Sequence, residues 1–243
     1  MTALLAQISD LHLDGTDRAA DRARRVMDYL NGLARPVDAL LVTGDISDHG
    51  TEAEYEEVAQ LFATATVPVL PCPGNHDVRG PYRKALLGDE PTAGPINRRH
   101  HVAGLNILMV DGIVPAQDHG RLDDETVGWI LDHLRDDEPT LIALHHPPAQ
   151  MHEPTIDTML LHESDRLAAI VEAHPQVIAV LTGHAHTACA TTFAGRPLIV
   201  APAVTFALRM PWEVGAHQNW DQPPGVAFHV VDGNRLTTHF RVA

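Results

Sequence analysis

Polar side chains follow five of the short apolar segments in this sequence, within a few positions of the end of each segment. The blocks are Asp10-Leu11-His12, Gly44-Asp45, Gly74-Asn75-His76-Asp77, His145-His146 and Gly183-His184-Ala185-His186. Carboxylate, amide and imidazole groups without a thiolate form a ligand set that suits Zn, Mn or Fe. One such block alone is typical of a strand cap or a turn. The prediction of a metal site therefore depends on all five occurring together.

The apolar segments themselves have the length of β-strands. The predicted strands are Leu4–Ile8, Ala39–Val42, Val67–Leu70, Leu105–Val110, Thr140–Leu144, Val177–Leu181, Leu198–Val200 and Val226–Val231. Strands alternate with helical patterns in the first half, which predicts parallel strands with crossover helices, and consecutive strands near the C-terminus predict antiparallel pairing. Because the carboxyl ends of parallel strands converge on one crevice, we expect the five blocks to meet there.

Apolar periodicity and capping residues predict four helices. Residues 17–35 carry apolar side chains at spacings of three and four, which indicates an amphipathic helix. Thr51 followed by Glu54 predicts a capping box at the start of the second helix. Asp123 and Ser164 are predicted to cap the other two.

The spacing within the blocks predicts two metal ions rather than one. Residues two apart on an extended backbone point to the same face, so Asp10 with His12, and His184 with His186, can each aim at one point. Glycines at positions 44, 74 and 183 permit sharp turns and close backbone approach. Seven ligands exceed the needs of one ion, whereas two ions sharing a bridging carboxylate, about 3.5–4 Å apart, suit in-line displacement at phosphorus.

Length and composition restrict the class of protein. The 243 residues, 44% hydrophobic and 20% charged, predict one soluble globular domain over residues 1–243. A formal net charge of −15 disfavours a nucleic-acid polymer as partner, and no apolar run approaches the roughly 18 residues of a membrane helix, so we expect no membrane insertion. The N-terminus lacks the features of a secretion signal, and Cys72 and Cys189 lack a paired spacing, which predicts a cytoplasmic location.

One long segment has no clear period. Residues 209–225 contain two Trp and three Pro, and loops of this length are uncommon unless they cover a site or an interface. The alternatives are a lid, a contact in a homodimer, or an inert covering loop.

Taken together, the five blocks resemble the calcineurin-like metallophosphoesterase superfamily over about residues 8 to 187. Asn75-His76-Asp77-Val78-Arg79 and His145-His146-Pro147-Pro148 further resemble the class III cyclic nucleotide phosphodiesterases and related glycerophosphodiesterases. The resemblance implies an α/β fold, a two-sheet β-sandwich flanked by helices, with the metal site at the carboxyl ends of the strands.

The same resemblance implies how the ligands divide between two divalent ions. One ion would take Asp10, His12, Asp45 and His186, and the other Asp45, Asn75, His145 and His184. Asp45 would then bridge the ions. In purple acid phosphatases of the superfamily a metal-bound Tyr stands three positions after the bridging Asp, and here that position is Asp48, so no tyrosinate-bound ferric ion is implied. Mn, Fe and Zn remain open.

The expected reaction is hydrolysis of a phosphodiester by a hydroxide that bridges the two metals. His76 is predicted to protonate the leaving alkoxide, with Asp77 holding its imidazole. Asn75 and His76 are also expected to contact the substrate. Arg79 would bind phosphate or form a salt bridge, and His146 would contact substrate or pack.

The leading hypothesis is a small phosphodiester substrate, with a cyclic nucleotide such as cyclic AMP favoured. A glycerophosphodiester hydrolase or a phosphomonoesterase on the same site is the alternative, and the shape of the pocket decides between them. A non-catalytic scaffold is disfavoured because all seven ligand positions are occupied by ligand-type residues.

Overall fold

Two β-sheets lie face to face between two layers of helices. The computed structural model describes residues 2–134 and 137–243. The strands are β1 (Ala3–Ile8), β2 (Ala39–Thr43), β3 (Val69–Cys72), β4 (Arg98–Val102), β5 (Leu105–Met109), β6 (Gly120–Arg121), β7 (Thr140–Ala143), β8 (Leu161–His162), β9 (Val177–Thr182), β10 (Cys189–Phe193), β11 (Arg196–Val200), β12 (Ala207–Leu208), β13 (Gln218–Asn219), β14 (Gly225–Asp232) and β15 (Arg235–Val242). The helices are α1 (Asp17–Asn31), α2 (Glu52–Phe62), α3 (Arg79–Tyr82), α4 (Asp124–Asp132) and α5 (Asp165–Ala173).

The two large sheets combine parallel centres with antiparallel edges. The first has the order β15-β14-β1-β2-β3, in which β1, β2 and β3 run parallel. The second has the order β10-β11-β9-β7-β5-β4, in which β11, β9, β7 and β5 run parallel. Two-stranded pairs are formed by β12 with β13 and by β6 with β8. The predicted two-sheet sandwich flanked by helices is confirmed, and parallel strands bring their carboxyl ends to one edge of each sheet.

The side chains of β2 alternate between two cores. Leu40 and Val42 pack with the helices α1 and α2, whereas Leu41 packs against the facing sheet. Ile130 of α4 and Leu167 of α5 cover the other face of the second sheet. A strand buried on both faces has no polar alternation, which explains why such strands read as continuous apolar runs.

The capping predictions hold at two of three positions. Thr51 and Glu54 form the predicted capping box, and the side chain of Asp123 accepts a hydrogen bond from the backbone N–H of Thr126. Ser164 precedes α5, but its backbone is already helical and its side chain makes no capping bond, so that prediction is wrong. Helix α1 ends at Asn31, before Gly32. This end lies four residues before the predicted one at position 35. Among the described residues, no helix has the length and apolar character needed to cross a bilayer.

A histidine is buried within the first sheet. The Nε2–H of His229 on β14 donates to Gln7, 3.0 Å away, and its Nδ1 lies 2.9 Å from the hydroxyl of Thr238. Burial lowers the pKa of His229 to about 3. An unfolded histidine titrates near 6.5, so between pH 6.5 and 3 the unfolded chain binds a proton that the folded protein does not. Stability from this residue is complete above pH 6.5 and falls as the pH decreases.

Replacing His229 should therefore flatten the acid side of the stability profile. We expect wild type to lose about 2 kcal/mol more than His229→Gln between pH 7 and pH 5. Urea unfolding at the two pH values, with chelator present in all samples, measures this double difference. Equal losses in the two proteins would show that His229 is not the proton-binding group.

Candidate metal centre

The five polar blocks meet at the edge where the carboxyl ends of the parallel strands converge. The first sheet supplies Asp10 and His12 after β1, Asp45 after β2, and Asn75 with His76 after β3. The second sheet supplies His145 after β7, and His184 with His186 after β9. The centre therefore lies where the two sheets come together.

Five of the seven predicted ligands have a left-handed backbone. Their φ angles are 56° for Asp10, 45° for His12, 50° for Asp45, 68° for His184 and 49° for His186. Such conformations are uncommon outside glycine, and they concentrate at functional sites. The extended geometry expected for the paired residues is wrong: the side chains converge because the chain turns sharply at each ligand.

Asp45 occupies the middle of the cluster. Its Oδ2 lies 3.5 Å from Nε2 of His12 and 3.2 Å from Nε2 of His145. Asp10 lies to one side, with its Oδ1 3.5 Å from Nε2 of His186. This arrangement supports the prediction that Asp45 is the carboxylate shared by two ions.

The second group of ligand atoms lies around His145. Nδ1 of His184 is 3.2 Å from Nε2 of His145. Oδ1 of Asn75 and Nε2 of His12 are buried and have no hydrogen-bond partner among the described residues. An unpartnered buried polar atom costs about 1–3 kcal/mol, and coordination of a cation would remove that cost. The residues present thus fit a metal pair.

Hydrogen bonds on the outer side of three imidazoles fix their orientation. Nδ1–H of His12 donates to the Asp48 carboxylate at 2.7 Å, and Nδ1–H of His145 donates to the Thr43 carbonyl at 2.7 Å. Nδ1–H of His186 donates to the backbone carbonyl of Phe206, just before β12, at 2.9 Å. Each bond leaves the lone pair of Nε2 facing the centre. The sequence pattern marked position 48 only by the absence of a Tyr. It did not predict that Asp48 supports the His12 imidazole.

Removing the charge of Asp48 should weaken metal binding without removing a ligand. We expect Asp48→Asn to lower metal affinity about 10- to 100-fold, because carboxylates behind a ligating imidazole hold its tautomer and raise its basicity. Competitive titration against a metal-binding dye measures this change. Asp232→Asn, at an exposed surface ion pair with Arg235, is the control and should bind as wild type does. Unchanged affinity in Asp48→Asn would contradict the assignment.

The protein's own charges make His145 distinctive. Burial opposes its protonation, but the adjacent carboxylates of Asp45 and Asp10 raise the pKa of His145 to about 9. Burial opposes ionisation of Asp45, yet His145 holds the pKa of that carboxyl well below its usual range. Burial lowers the pKa of His184 and of His186. Metal binding at His145 must displace a proton, so binding is expected to release protons and to tighten as the pH rises.

Two glycines allow the loops to approach this closely. A side chain at Gly74 would overlap the Asp45 carboxylate and its backbone nitrogen, and one at Gly44 would overlap the His145 ring. Gly44 also has a φ of 89°. The close approach predicted from these glycines is present.

The structure assigns Asp77 a different role from the predicted one. Its buried carboxylate accepts hydrogen bonds from the backbone N–H groups of Gly74 at 2.8 Å and Ile46 at 3.2 Å, and from the hydroxyl of Tyr55 at 2.9 Å. These donors tie the loop after β3 to the loop after β2. Because its oxygens face these donors, Asp77 does not hold the His76 imidazole, which was the contact predicted for it.

His76 is instead positioned by the loop after β2. Its Nδ1–H donates to the backbone carbonyl of Asp48 at 2.8 Å, and its backbone N–H donates to Oδ1 of Asp45 at 2.9 Å. The side chain is 41% exposed and lines the cavity above the centre. His76 is therefore open to a bound ligand, whereas the predicted metal ligands below it are buried or, as with Asn75, partly buried.

Arg79 forms a salt bridge and His146 packs in the interior, which are the structural alternatives to substrate contact given for each residue. Arg79 forms a two-pronged ion pair with the buried carboxylate of Asp111, at 2.7 and 3.0 Å. His146 is fully buried, and its Nε2 lies 3.1 Å from the backbone carbonyl of Asp118. Burial lowers the pKa of His146 to about 3. Neither side chain lines the cavity above the metal centre.

That cavity has a volume of about 450 Å³. One side is formed by the metal-centre residues, and another by the chain after β11, which contributes Phe206, His217, Gln218 and Trp220. Part of the unassigned segment 209–225 thus covers the site. This position supports the lid interpretation of that segment.

Carboxylates and imidazoles lie together between the two sheets, and three of the imidazoles are held so that a lone pair faces inwards. This arrangement defines a protein built to bind two cations. The chain belongs to the calcineurin-like phosphoesterase family, whose profile matches residues 3–188. The dinuclear divalent centre of this family agrees with the His and Asp groups found here.

Two relatives and one solved structure show the extent of the similarity. A cAMP/cGMP dual specificity phosphodiesterase of Mycobacterium tuberculosis is 32% identical over 235 residues, which cover 91% of this chain and 74% of the relative. The glycerophosphodiester phosphodiesterase GpdQ of Enterobacter lignolyticus is 32% identical over 214 residues, covering 82% and 77%. A dimetal phosphatase from Danio rerio, 12% identical, superposes with a TM-score of 0.69 over 99% of this chain and 98% of its own, a likeness of fold alone.

Proposed function

We propose that the protein is a metal-dependent phosphodiesterase that hydrolyses small phosphodiesters, with a cyclic nucleotide such as cyclic AMP as the favoured substrate. The observation that carries this proposal is the position of Asp45, 3.5 Å from His12 and 3.2 Å from His145 at the floor of an open cavity. A cavity of about 450 Å³ suits a mononucleotide-sized ligand. The relative from Mycobacterium tuberculosis, named for cAMP and cGMP, supports the same substrate class.

The metal ions would be held by the predicted ligands. Asp10, His12, Asp45 and His186 would hold one ion, and Asp45, Asn75, His145 and His184 the other. When bound, a divalent pair polarises a phosphoryl oxygen and lowers the pKa of water so that it can act as a nucleophile. The oxygen and nitrogen ligand set favours Mn, Fe or Zn.

The chain's own residues supply orientation and a proton. His76 is open to the cavity, and its Nδ1–H is held by the Asp48 carbonyl. Its Nε2 is then the atom that presents a proton to the leaving alkoxide when the ring is protonated. Asn75 lines the same wall and would contact the substrate phosphate as well as a metal.

Glycerophosphodiester hydrolysis is the second candidate function. The similarity to GpdQ, at 32% identity, favours it. A phosphomonoesterase on the same site is the third alternative. These substrates share the phosphoryl chemistry and differ in the groups that must fit the cavity.

A panel of substrates with metal analysis tests the proposal. The purified protein should contain about two equivalents of Mn, Fe or Zn and should hydrolyse cyclic AMP with a higher kcat/KM than glycerophosphodiesters, 2′,3′-cyclic nucleotides or aryl phosphates. A preference for monoesters, or fewer than two metal equivalents at full activity, would overturn it.

Location and assembly are proposals of the same kind. Cys72 and Cys189 are free thiols, which supports a reducing compartment such as the cytoplasm.

Trp212 and Val214 are 76% and 95% exposed, and exposed apolar groups in segment 209–225 would suit a homodimer contact. Sedimentation of the purified protein, compared with Trp212→Lys, tests the dimer. The strongly acidic composition also supports a small molecule rather than a nucleic-acid polymer as partner.

A further inference from the structure

Two aromatic rings stand beside the metal centre. The Phe206 and Trp220 ring centroids are 4.6 Å apart with an interplanar angle of 47°. Phe206 also packs against His186, with ring centroids 4.3 Å apart. Both rings are partly exposed and line the cavity. They form an aromatic wall, defined here as Phe206 and Trp220, that begins at a predicted metal ligand and extends away from it.

Helix α1 holds this wall in place. The guanidinium of Arg22 donates to the backbone carbonyls of Val204 at 2.7 Å, Trp220 at 3.3 Å and Gln222 at 2.6 Å. The guanidinium carbon of Arg18 lies 4.2 Å from the Trp220 ring centroid. A ring fixed in this way loses little conformational entropy when a ligand stacks on it.

The remaining boundary of the cavity combines apolar side chains with the polar side chains of Asp118, Thr155 and Gln218. Ile156 and Met159 line it together with Leu208. His217 is held at the rim by Glu153, with Nε2 of His217 3.1 Å from Oε1 of Glu153. The cavity thus offers a polar floor at the metal centre, and beside it a space where the aromatic wall and three aliphatic side chains present apolar surface. A planar ring attached near the phosphate would fill that space, whereas a glycerol group would leave the aromatic wall in contact with water.

The other tryptophan of segment 209–225, Trp212, lies outside the cavity. It is 76% exposed and does not line the cavity. Trp220, eight positions later, is instead packed against Phe206 and Arg18 and turned towards the site. The contrast indicates that the placement of Trp220 is specific.

We propose that the aromatic wall of Phe206 and Trp220 is the nucleobase subsite, and that Trp220 determines the preference for nucleotides over phosphodiesters without a planar group. This inference rests on the proposed phosphodiesterase function. Stacking on an aromatic side chain tolerates any base because each base has a π-face. The subsite therefore recognises a purine or pyrimidine by shape and leaves the phosphate to the metal centre.

The test compares two substrates that differ only in the base. Cyclic AMP is paired with methyl riboside 3′,5′-cyclic phosphate, in which a methoxy group replaces adenine. Wild type should prefer cyclic AMP by about tenfold or more in kcat/KM, the range expected for one stacked base. Trp220→Leu should lose most of this preference through a higher KM for cyclic AMP, with the base-free ester hydrolysed within about twofold of wild type.

Two further variants separate stacking from structural damage. Trp220→Phe keeps a π-face and should keep most of the preference. Trp212→Leu, outside the cavity, should keep the wild-type ratio of the two kcat/KM values. Equal losses on both substrates in Trp220→Leu, or an unchanged preference, would overturn the subsite while leaving the phosphodiesterase intact. Should Trp220→Leu fail to fold, a wild type that hydrolyses both esters equally still overturns it. A wild type that hydrolyses glycerophosphodiesters but not cyclic AMP would overturn the favoured substrate and the subsite together.

Discussion

Asp45→Asn is expected to abolish binding of both cations and to lower kcat/KM by about a thousandfold or more. Asp45 is the carboxylate that lies closest to both groups of ligand atoms, at 3.5 Å from His12 and 3.2 Å from His145. Its other oxygen accepts the backbone N–H of His76. An amide keeps the size of this group but removes the negative charge, so both ions would lose the anionic ligand that they share. Metal content by elemental analysis and kcat/KM on cyclic AMP measure the two effects.

Asp118→Asn is the matched control for this experiment. Asp118 lines the same cavity but lies outside the groups of metal-binding side chains. It should retain both metals and most of the activity. Two equivalents of tightly bound metal in Asp45→Asn would contradict the shared-ligand assignment.

His76→Ala is expected to keep both metals and to lose about 10²- to 10⁴-fold in kcat on substrates with an alkoxide leaving group, the usual contribution of a general acid. His76 reaches the cavity, while its Nδ1 is fixed by the Asp48 carbonyl. An aryl ester such as bis(4-nitrophenyl) phosphate releases a stable phenolate and should be affected far less. The comparison of the two substrate types in wild type and variant is the measurement.

His49→Ala provides the reference for His76. His49 also contacts the Asp48 carboxylate, at 3.3 Å, but its side chain is 63% exposed and does not line the cavity. Removal of the His49 side chain should not appreciably change kcat on either the alkyl or the aryl ester. Losses of the same size on alkyl and aryl esters in His76→Ala would show that His76 binds or positions rather than donates a proton.

The ligand set was accessible from sequence because each ligand follows a strand. Strands buried on both faces are long apolar runs, and the polar block after each run marks a carboxyl end. The convergence of Asp10, Asp45 and His145 follows from that rule alone. The left-handed backbone at Asp10 and Asp45 could not be predicted, because it depends on contacts between loops far apart in the chain.

The roles of the residues behind the ligands, Asp48 and Asp77, could not be predicted either, because they too depend on contacts between loops. Asp77 is next to His76 in sequence, which suggested a direct contact, but the turn directs its carboxylate to the backbone of Gly74 and Ile46. Asp48, three positions after Asp45, proved to be the group behind His12 and His76. Adjacent residues on a tight turn point in different directions, so order in sequence does not give partners in space.

The strands that were missed illustrate a similar limit. Within the two large sheets, the sequence patterns did not identify β4, β10 and β15, and all three lie at sheet edges. The residues of β15 alternate between exposed and half-buried positions. These three edge strands carry exposed polar side chains and form no apolar run, so a search for such runs did not detect them.

The placement of the ligands on both sheets has a mechanical consequence. Asp45 belongs to the first sheet and His145 to the second, so an ion coordinated by both would act as a clamp across the seam of the sandwich. Saturation at a hundred times the dissociation constant would add about 2.7 kcal/mol to the folded state. Chelation should therefore lower the melting temperature and speed deuterium uptake at β1 and β9, which flank the seam, before it affects the outer helices. The metal ions would then stabilise the packing of the two sheets in addition to supplying the chemistry.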